Sequence, residues 1–357
     1  ENADELEKAL TKTVETTAET PPEPAVSEFN FTGHVTMGAG VELPRDFNSP
    51  AWEFFTSVNG AKGQSVKTEY GADLKTKIET AGDYIGKISD DAAVVEVPFT
   101  LVDGKAVTQD VSLEAGVLRL SGKLDETAKL EDKAAAWELL DSSGAWIATK
   151  YGAEASFLAN AGSYKLRLSL GAAKAEQDVT VSAGKIEDVV IMLGAGIIQA
   201  TAVFAPGGPA VPDSAAIELR KGEAALDGSH EWIATTYGSA TQFNVPAGKY
   251  LVVVNQDYAT GSAAVEVKPA GVAKVEVALN AGFLAVTGPT GSTIEVFAGE
   301  KDISGARKHI ATEYNGALNK AFNAGSYHVV AKDGEGKVIG EKGFEVKPGQ
   351  RTEGVIP

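Results

Sequence analysis

Ala234-Thr235-Thr236-Tyr237-Gly238 and, a few residues on, Pro246-Ala247-Gly248-Lys249-Tyr250 form the stretch that decides the fold. The phrase returns as Lys67-Thr68-Glu69-Tyr70-Gly71 with Ala81-Gly82-Asp83-Tyr84. It returns again as Ala148-Thr149-Lys150-Tyr151-Gly152 with Ala161-Gly162-Ser163-Tyr164, and as Ala311-Thr312-Glu313-Tyr314-Asn315 with Ala324-Gly325-Ser326-Tyr327. The second tyrosines stand at 84, 164, 250 and 327, so the copies are 80, 86 and 77 residues apart. The two tyrosines of a copy are 14 residues apart in the first and 13 in the others. A fixed period of this length marks one supersecondary unit used repeatedly. The chain reads as four modules in tandem.

Outward from the phrase, each module shows short alternating runs. Ala51-Trp52-Glu53-Phe54-Phe55, Ala136-Trp137-Glu138-Leu139-Leu140, Ala216-Ile217-Glu218-Leu219 and Thr293-Ile294-Glu295-Val296-Phe297 occupy one register. Period two sends the apolar residues to one face and the glutamate to the other. Runs such as Tyr250–Val254, Ala263–Lys268 and Lys274–Leu279 follow, with turn signals between them. About seven short strands with closely spaced turns predict an all-β, two-sheet sandwich per module. Gly116, Gly196 and Gly282, each after an alanine, open the later modules. The expected boundaries are a leader or tether at 1–26 and sandwiches at 27–114, 115–194, 195–280 and 281–357. Leu6, Leu10 and Val14 suggest a weak helix in the leader, stopped by Pro21-Pro22-Glu23-Pro24. Lys123–Ala135, rich in Lys, Glu, Ala and Leu, predicts a short helical insertion or lid. Arg351–Pro357 is expected to supply the last strand of the fourth module, unless another chain does.

The 357 residues carry 49 acidic and 32 basic side chains, a net charge of −17. Such a surface repels phosphate backbones and anionic lipid, which argues against nucleic acid as a partner. The 39 glycines and 14 prolines suit turn-rich β structure. No cysteine is present, so disulfides, thiolate metal sites and cysteine nucleophiles are excluded. No apolar run is long enough for a membrane-spanning helix, so direct membrane insertion is not expected. The acidic start at Glu1 is unlike a signal peptide, and the expected setting is extracytoplasmic, after removal of a signal not contained in this chain. A module of about 80 residues buries only about 60% of its unfolded surface, so contacts between neighbours are expected to matter.

The repeated turn residues Gly82, Tyr84, Gly162, Tyr164, Gly248, Tyr250, Gly325 and Tyr327 have a mechanical reading. Glycine takes positive φ without steric cost. The tyrosine two residues on packs its ring on the core and sends its hydroxyl back to the backbone, like the tyrosine corner of sandwich folds. With Pro246-Ala247-Gly248-Lys249-Tyr250 and Val179-Thr180-Val181-Ser182-Ala183-Gly184, the modules resemble the Ig-like prealbumin-like or carboxypeptidase-regulatory-like sandwiches of bacterial envelope proteins. The tandem form is similar to repeat regions beside von Willebrand factor A domains, although Asp141-Ser142-Ser143-Gly144-Ala145 fails the metal-site pattern of such a domain. The resemblance implies an extracytoplasmic stalk, spacer or adhesion scaffold. Related surface sandwiches carry isopeptide cross-links. Glu53, Glu138, Glu218 and Glu295 recur in register but lie opposite the core face without a recurring lysine, so they read as solvated.

Enzyme signals are poor. His230-Glu231-Trp232-Ile233-Ala234 begins like a zinc-protease helix but ends in alanine and lies on a predicted strand. His34, His309 and His328 form no motif, and Asp333-Gly334-Glu335-Gly336 and Ser89-Asp90-Asp91 lack calcium-loop spacing. Asn30-Phe31-Thr32 fits a short glycosylation sequon that chance also produces. No cofactor or metal is expected. The expected role is a non-catalytic structural one, as a rod-like stalk or filament subunit that self-associates or meets another envelope protein. The alternative is adhesion to a glycan or protein receptor through loops at a sandwich end.

Overall fold

A computed structural model of the chain describes residues 28–357, and the expected leader at 1–26 lies outside them. The described residues form β-strands, with a single 3-10 turn at Arg45–Phe47. In module three the seven strands are Ala195–Val203, Ala216–Ala224, His230–Tyr237, Ala240–Pro246, Gly248–Gln256, Ala259–Val267 and Val272–Ala278. The first, fourth and seventh make a three-stranded sheet in the order four-one-seven. The second, third, fifth and sixth make a four-stranded sheet in the order three-two-five-six. The same pair of sheets occurs in all four modules, so the fold is an all-β array of tandem sandwiches. Module one adds a two-residue strand, Val41–Glu42, beside its first strand.

In module three the first strand runs antiparallel to the fourth and parallel to the seventh. Parallel neighbours cannot be joined by a hairpin. The chain therefore completes the whole sandwich before its last strand returns beside its first. In module four that last strand is Arg351–Val355, paired in parallel with Ala281–Thr287 of the same chain.

By internal contacts the chain divides into two compact units. The first holds the described residues up to Leu118, together with Phe157–Ser163 and Thr180–Glu187. The second holds Arg119–Ser156, Tyr164–Val179 and Asp188–Pro357. The division does not follow the repeat, because one end of the module-two sandwich packs with module one.

Period-two patterning explains both cores. In the first unit, Phe31, Trp52, Phe54 and Ile88 are fully buried. Phe31 meets Trp52, Phe54 and Phe99 at ring distances of 5.6, 5.1 and 5.0 Å. In the second unit, Ile198, Ile217, Leu219, Val252 and Val254 fill module three, and Leu284, Ile294, Val296 and Val329 fill module four. Burying one such side chain contributes about 1.5–3 kcal/mol. Modules three and four place isoleucine where modules one and two place Trp52 and Trp137, so the cores differ in content but not in plan.

The helical insertion expected at 123–135 does not form. This stretch is the crossover from the first strand to the second, which every module has at 39–50, 124–135, 204–215 or 288–292. The Asp125 carboxylate accepts the N–H groups of Thr127 and Ala128 at 2.8 and 2.7 Å, which holds a turn where a helix would start. The Leu130 N–H donates to the Gly122 carbonyl at 3.0 Å, and its side chain is buried. The crossover is thus part of the core. Leu130→Ala is expected to cost 2–5 kcal/mol, about the usual range for a buried leucine. Denaturant unfolding measures this, and a loss below about 1 kcal/mol would restore the lid reading.

Candidate functional site

The repeated phrase brackets the fourth strand of each module, the one strand that leaves a sheet and returns within 13 or 14 residues. At the first corner the chain passes through Gly71, Gly152 and Gly238, with φ of 129°, 125° and 132°. Module four uses Asn315 and Gly316 there, at φ 67° and 71°. The three glycine N–H groups donate to the carbonyls of Pro50, Ala135 and Ala215 at 3.0, 2.9 and 3.0 Å. The buried indoles of Trp52 and Trp137 donate to the carbonyls of Gly71 and Gly152, each at 3.0 Å.

At the second corner the hydroxyls of Tyr84, Tyr250 and Tyr327 donate to the carbonyls of Thr80, Pro246 and Asn323 at 2.6, 2.7 and 2.6 Å. Tyr164 holds the same position in module two, and burial pushes all four phenols above their ordinary value. The demand for positive φ falls differently from expectation. Gly82 and Gly325 have φ of 151° and 154°, whereas Gly162 and Gly248 are not at positive φ. The consistent left-handed glycines are those of the first phrase, because that corner reverses the strand over a buried carbonyl.

Modules meet without a flexible linker. Two residues separate the last strand of one from the first strand of the next: Leu113-Glu114, Leu193-Gly194 and Leu279-Asn280. Glu114, Gly194 and Asn280 take left-handed φ of 47°, 60° and 49°. Their carbonyls accept the N–H groups of Ala161, Ala247 and Ala324 at 2.7, 2.8 and 2.6 Å.

A second set of contacts clamps each joint from the turn between the fifth and sixth strands. In the second unit, the Asp257 carboxylate accepts the Ala321 N–H at 3.0 Å, and the Tyr258 N–H donates to the Ala321 carbonyl at 3.1 Å. The Asn323 carboxamide bridges Thr260, accepting its N–H at 3.1 Å and donating to its carbonyl at 2.8 Å. The Tyr258 ring stacks on Phe322 at 5.0 Å. In the first unit, Asp91 accepts the Leu158 N–H at 2.9 Å, Ala92 donates to the Leu158 carbonyl at 3.0 Å, and Asn160 accepts the Val94 N–H at 3.0 Å. Asp91 and Asp257 both sit at left-handed φ, 51° and 50°. The joint between modules two and three departs from this. Gly171 replaces the aspartate and Pro246 the asparagine, leaving the Ala172 N–H bond to the Asn244 carbonyl at 2.9 Å. A cleft of about 740 Å³ opens there, lined by Lys174, Lys221, Glu231, Trp232, Lys249 and others.

The recurring glutamates are half-buried and paired rather than solvated. Glu138 meets Arg167 at 3.1 Å, Glu295 meets Lys332 at 2.6 Å, Glu53 meets Lys87 and Glu218 meets Arg220. Modules one and two take the basic partner from the same place, three residues after the corner tyrosine, but as Lys87 in one and Arg167 in the other, and modules three and four take it from elsewhere, so no recurring lysine marked it in the sequence. The same sheet face carries exposed aromatics. A register shift after Leu139, and another after Leu219, turns Trp146 and Trp232 outward with Thr149 and Thr235. Their indole N–H groups donate to the threonine hydroxyls at 2.8 and 2.9 Å, and the rings stay 65% and 60% exposed. His309 meets Thr312 in the same way at 2.9 Å. Sequence reading missed both the joints and this face. Tyr70, Tyr151, Tyr237 and Tyr314 are exposed.

His34 lies between two carboxylates, Nδ1 at 2.8 Å from Asp73 and Nε2 at 3.4 Å from Glu42. The Asp73 hydrogen bond, opposed by partial burial and helped by Glu42, holds the imidazole above its ordinary value of 6.5.

No family model and no curated protein matches this chain. Solved structures similar to it include the TIE protein of Bacillus anthracis, 14% identical over 87% of this chain and 69% of that one, at a TM-score of 0.21. GBS52, the minor pilin of Streptococcus agalactiae, is 12% identical over 45% of this chain and 94% of that one, at 0.27. The full-length RrgB pilus protein of Streptococcus pneumoniae is 10% identical over 92% and 98%, at 0.17. TM-scores this low carry no argument about function, which rests here on the residues themselves.

Two predictions follow from this geometry. Asp257→Ala removes the clamp and keeps the left-handed backbone, whereas Asp257→Gly removes the clamp and relieves it, so glycine is expected to be the milder by about 1 kcal/mol in urea unfolding. Equal losses would show that the left-handed backbone at Asp257 carries no strain, and a loss near zero in both would show that the carboxylate does not hold the joint. His34 is expected to titrate above 6.5 by NMR. Because its folded value is raised, its contribution is full below about pH 6.5 and is lost as pH rises through the folded value. Asp73→Asn should move the titration back toward 6.5.

Proposed function

We propose that the chain is a non-catalytic structural protein of the bacterial cell envelope or surface, a stalk or filament subunit acting through module–module and chain–chain contacts. The joints carry this reading. A two-residue connection with four clamping hydrogen bonds, as between modules three and four, resists bending far more than a flexible tether would. Such a joint suits a role in which distance must be held. In this reading the module boundaries are 27–114, 115–194, 195–280 and 281–357, and the Gly–Tyr corners keep each module from splaying. Partners are further copies of the chain or another envelope protein. The likeness to repeats beside von Willebrand factor A domains belongs to the same reading and is checked in the flanking reading frame.

Adhesion to a glycan or protein receptor is a second reading. Trp146 and Trp232 support it, each hydrogen-bonded to a threonine and open to solvent on the face that carries the paired glutamates. In this second reading the candidate surface is a sheet face, whereas the sequence suggested the end loops. Small-angle scattering and negative-stain electron microscopy of the purified chain test the first reading. The expected particle is extended, with a maximum dimension near the sum of four modules, and Asp91→Ala with Asn160→Ala broadens its bend angles. A compact particle would overturn it. Binding on a glycan array, lost in Trp146→Ala with Trp232→Ala, would favour the second.

A further inference from the structure

The joint uses one peptide in a fixed place, six residues before the corner tyrosine. In module two it is Leu158, in module four Ala321, and in module three Asn244. The preceding module supplies its partners in all three: Asp91 and Ala92, Asp257 and Tyr258, and Ala172. In module one the same place is Ile78. Here the Asn30 carboxamide takes both bonds. It accepts the Ile78 N–H at 2.8 Å and donates to the Ile78 carbonyl at 2.8 Å. Module one also has Thr80 where Asn160 and Asn323 reach across their joints. The one extra residue between Tyr70 and Tyr84 accompanies this change.

The opposite end is altered in the complementary way. Modules one to three present the joint through a two-residue turn: Asp91-Ala92, Gly171-Ala172 or Asp257-Tyr258. Module four has five residues there, Asp333 to Lys337. Asp333 does not aim its carboxylate outward as Asp91 and Asp257 do. It accepts the N–H groups of Glu335 and Lys337 in its own turn, at 3.0 and 2.9 Å. Gly336 N–H closes on the Asp333 carbonyl at 3.0 Å.

We infer that Asn30 and Asp333 are caps that close the joint ladder at both ends, so that a second copy of this chain does not dock end to end by reusing the joint. A repeat unit that satisfies its stacking groups internally does not offer them to a neighbour, whatever is attached beyond it. A body attached before module one or after module four must use other contacts, and copies that associate must meet through sheet edges or faces. The inference rests on joint geometry and holds whether or not the protein is a surface stalk. The Asn30 carboxamide is also the acceptor of the Asn30-Phe31-Thr32 sequon, so a glycan there would replace one of the two N–H hydrogens of the capping nitrogen.

Hydrogen exchange on the full chain tests the cap at module one. The Ile78 amide is expected to be protected in dilute solution, to the same extent at every protein concentration. Asn30→Ala should speed its exchange roughly tenfold, the effect of about one lost hydrogen bond. Should Asn30→Ala unfold the module, Asn30→Asp keeps an acceptor for the amide and loses the donor, and it should leave Ile78 protected while weakening the fold less. Protection that appears only as concentration rises would overturn the cap. The absence of cysteine allows a second arm: Lys77→Cys with Gly334→Cys, where the site at Gly334 has open space for a side chain. No ladder of disulfide-linked oligomers is expected on oxidation. A ladder would show that the ends do dock and would overturn the inference.

Discussion

The fourth strand of each module has to leave one sheet, cross to the other and come back, and no buried peptide group may be left unpaired on the way. That constraint organises this chain. The first corner meets it with a left-handed glycine whose N–H and, in modules one and two, whose carbonyl are both engaged. The second meets it with a tyrosine hydroxyl that closes on the carbonyl four residues back. A tryptophan at the core of modules one and two satisfies its indole on the same corner, so the largest buried side chain and the tightest backbone reversal are one arrangement. Modules three and four drop the tryptophan and keep the corner, which shows which of the two the fold needs.

The joints extend the same rule beyond a module. The edge of the fourth strand exposes a peptide that the preceding module, or a stand-in for it, must pair. A neighbouring turn does so in modules two, three and four, and an asparagine side chain does so in module one. Asp91 and Asp257 accept a left-handed backbone, a strain of roughly 1 kcal/mol for a residue other than glycine, in exchange for a carboxylate aimed across the joint. Gly171 avoids the strain and has no carboxylate to aim. The joint it serves has fewer bonds and an open cleft.

Much of the architecture was legible in the chain. Four tyrosine phrases announced the period, and residues such as Ile217-Glu218-Leu219 announced which face is buried. The corner tyrosines could be named because ring and hydroxyl act within four residues of one another. The joints could not be read, because Asp257 and Ala321 lie 64 residues apart and Asp91 and Leu158 lie 67 apart. In sequence Asp257 is one more polar turn residue. The stretch at 123–135 misled for a related reason: its composition favours helix, but Asp125 and Leu130 act through a turn and a core that composition does not display. The outward tryptophans were hidden by a register shift, which moves Trp146 to the face that simple alternation denies it.

The sequence by itself determined the number of modules, their β character and the residues of the two corners, because these depend on local periodicity and on contacts a few residues long. Only the tertiary structure decided how modules are clamped, where the glutamates find their cations and which ends are closed. Apart from the local Glu218–Arg220 pair and the Asp333 turn, those depend on groups 29 or more residues apart that strand pairing and turns bring together, and a hydrogen bond acts over about 3 Å whatever the separation along the chain.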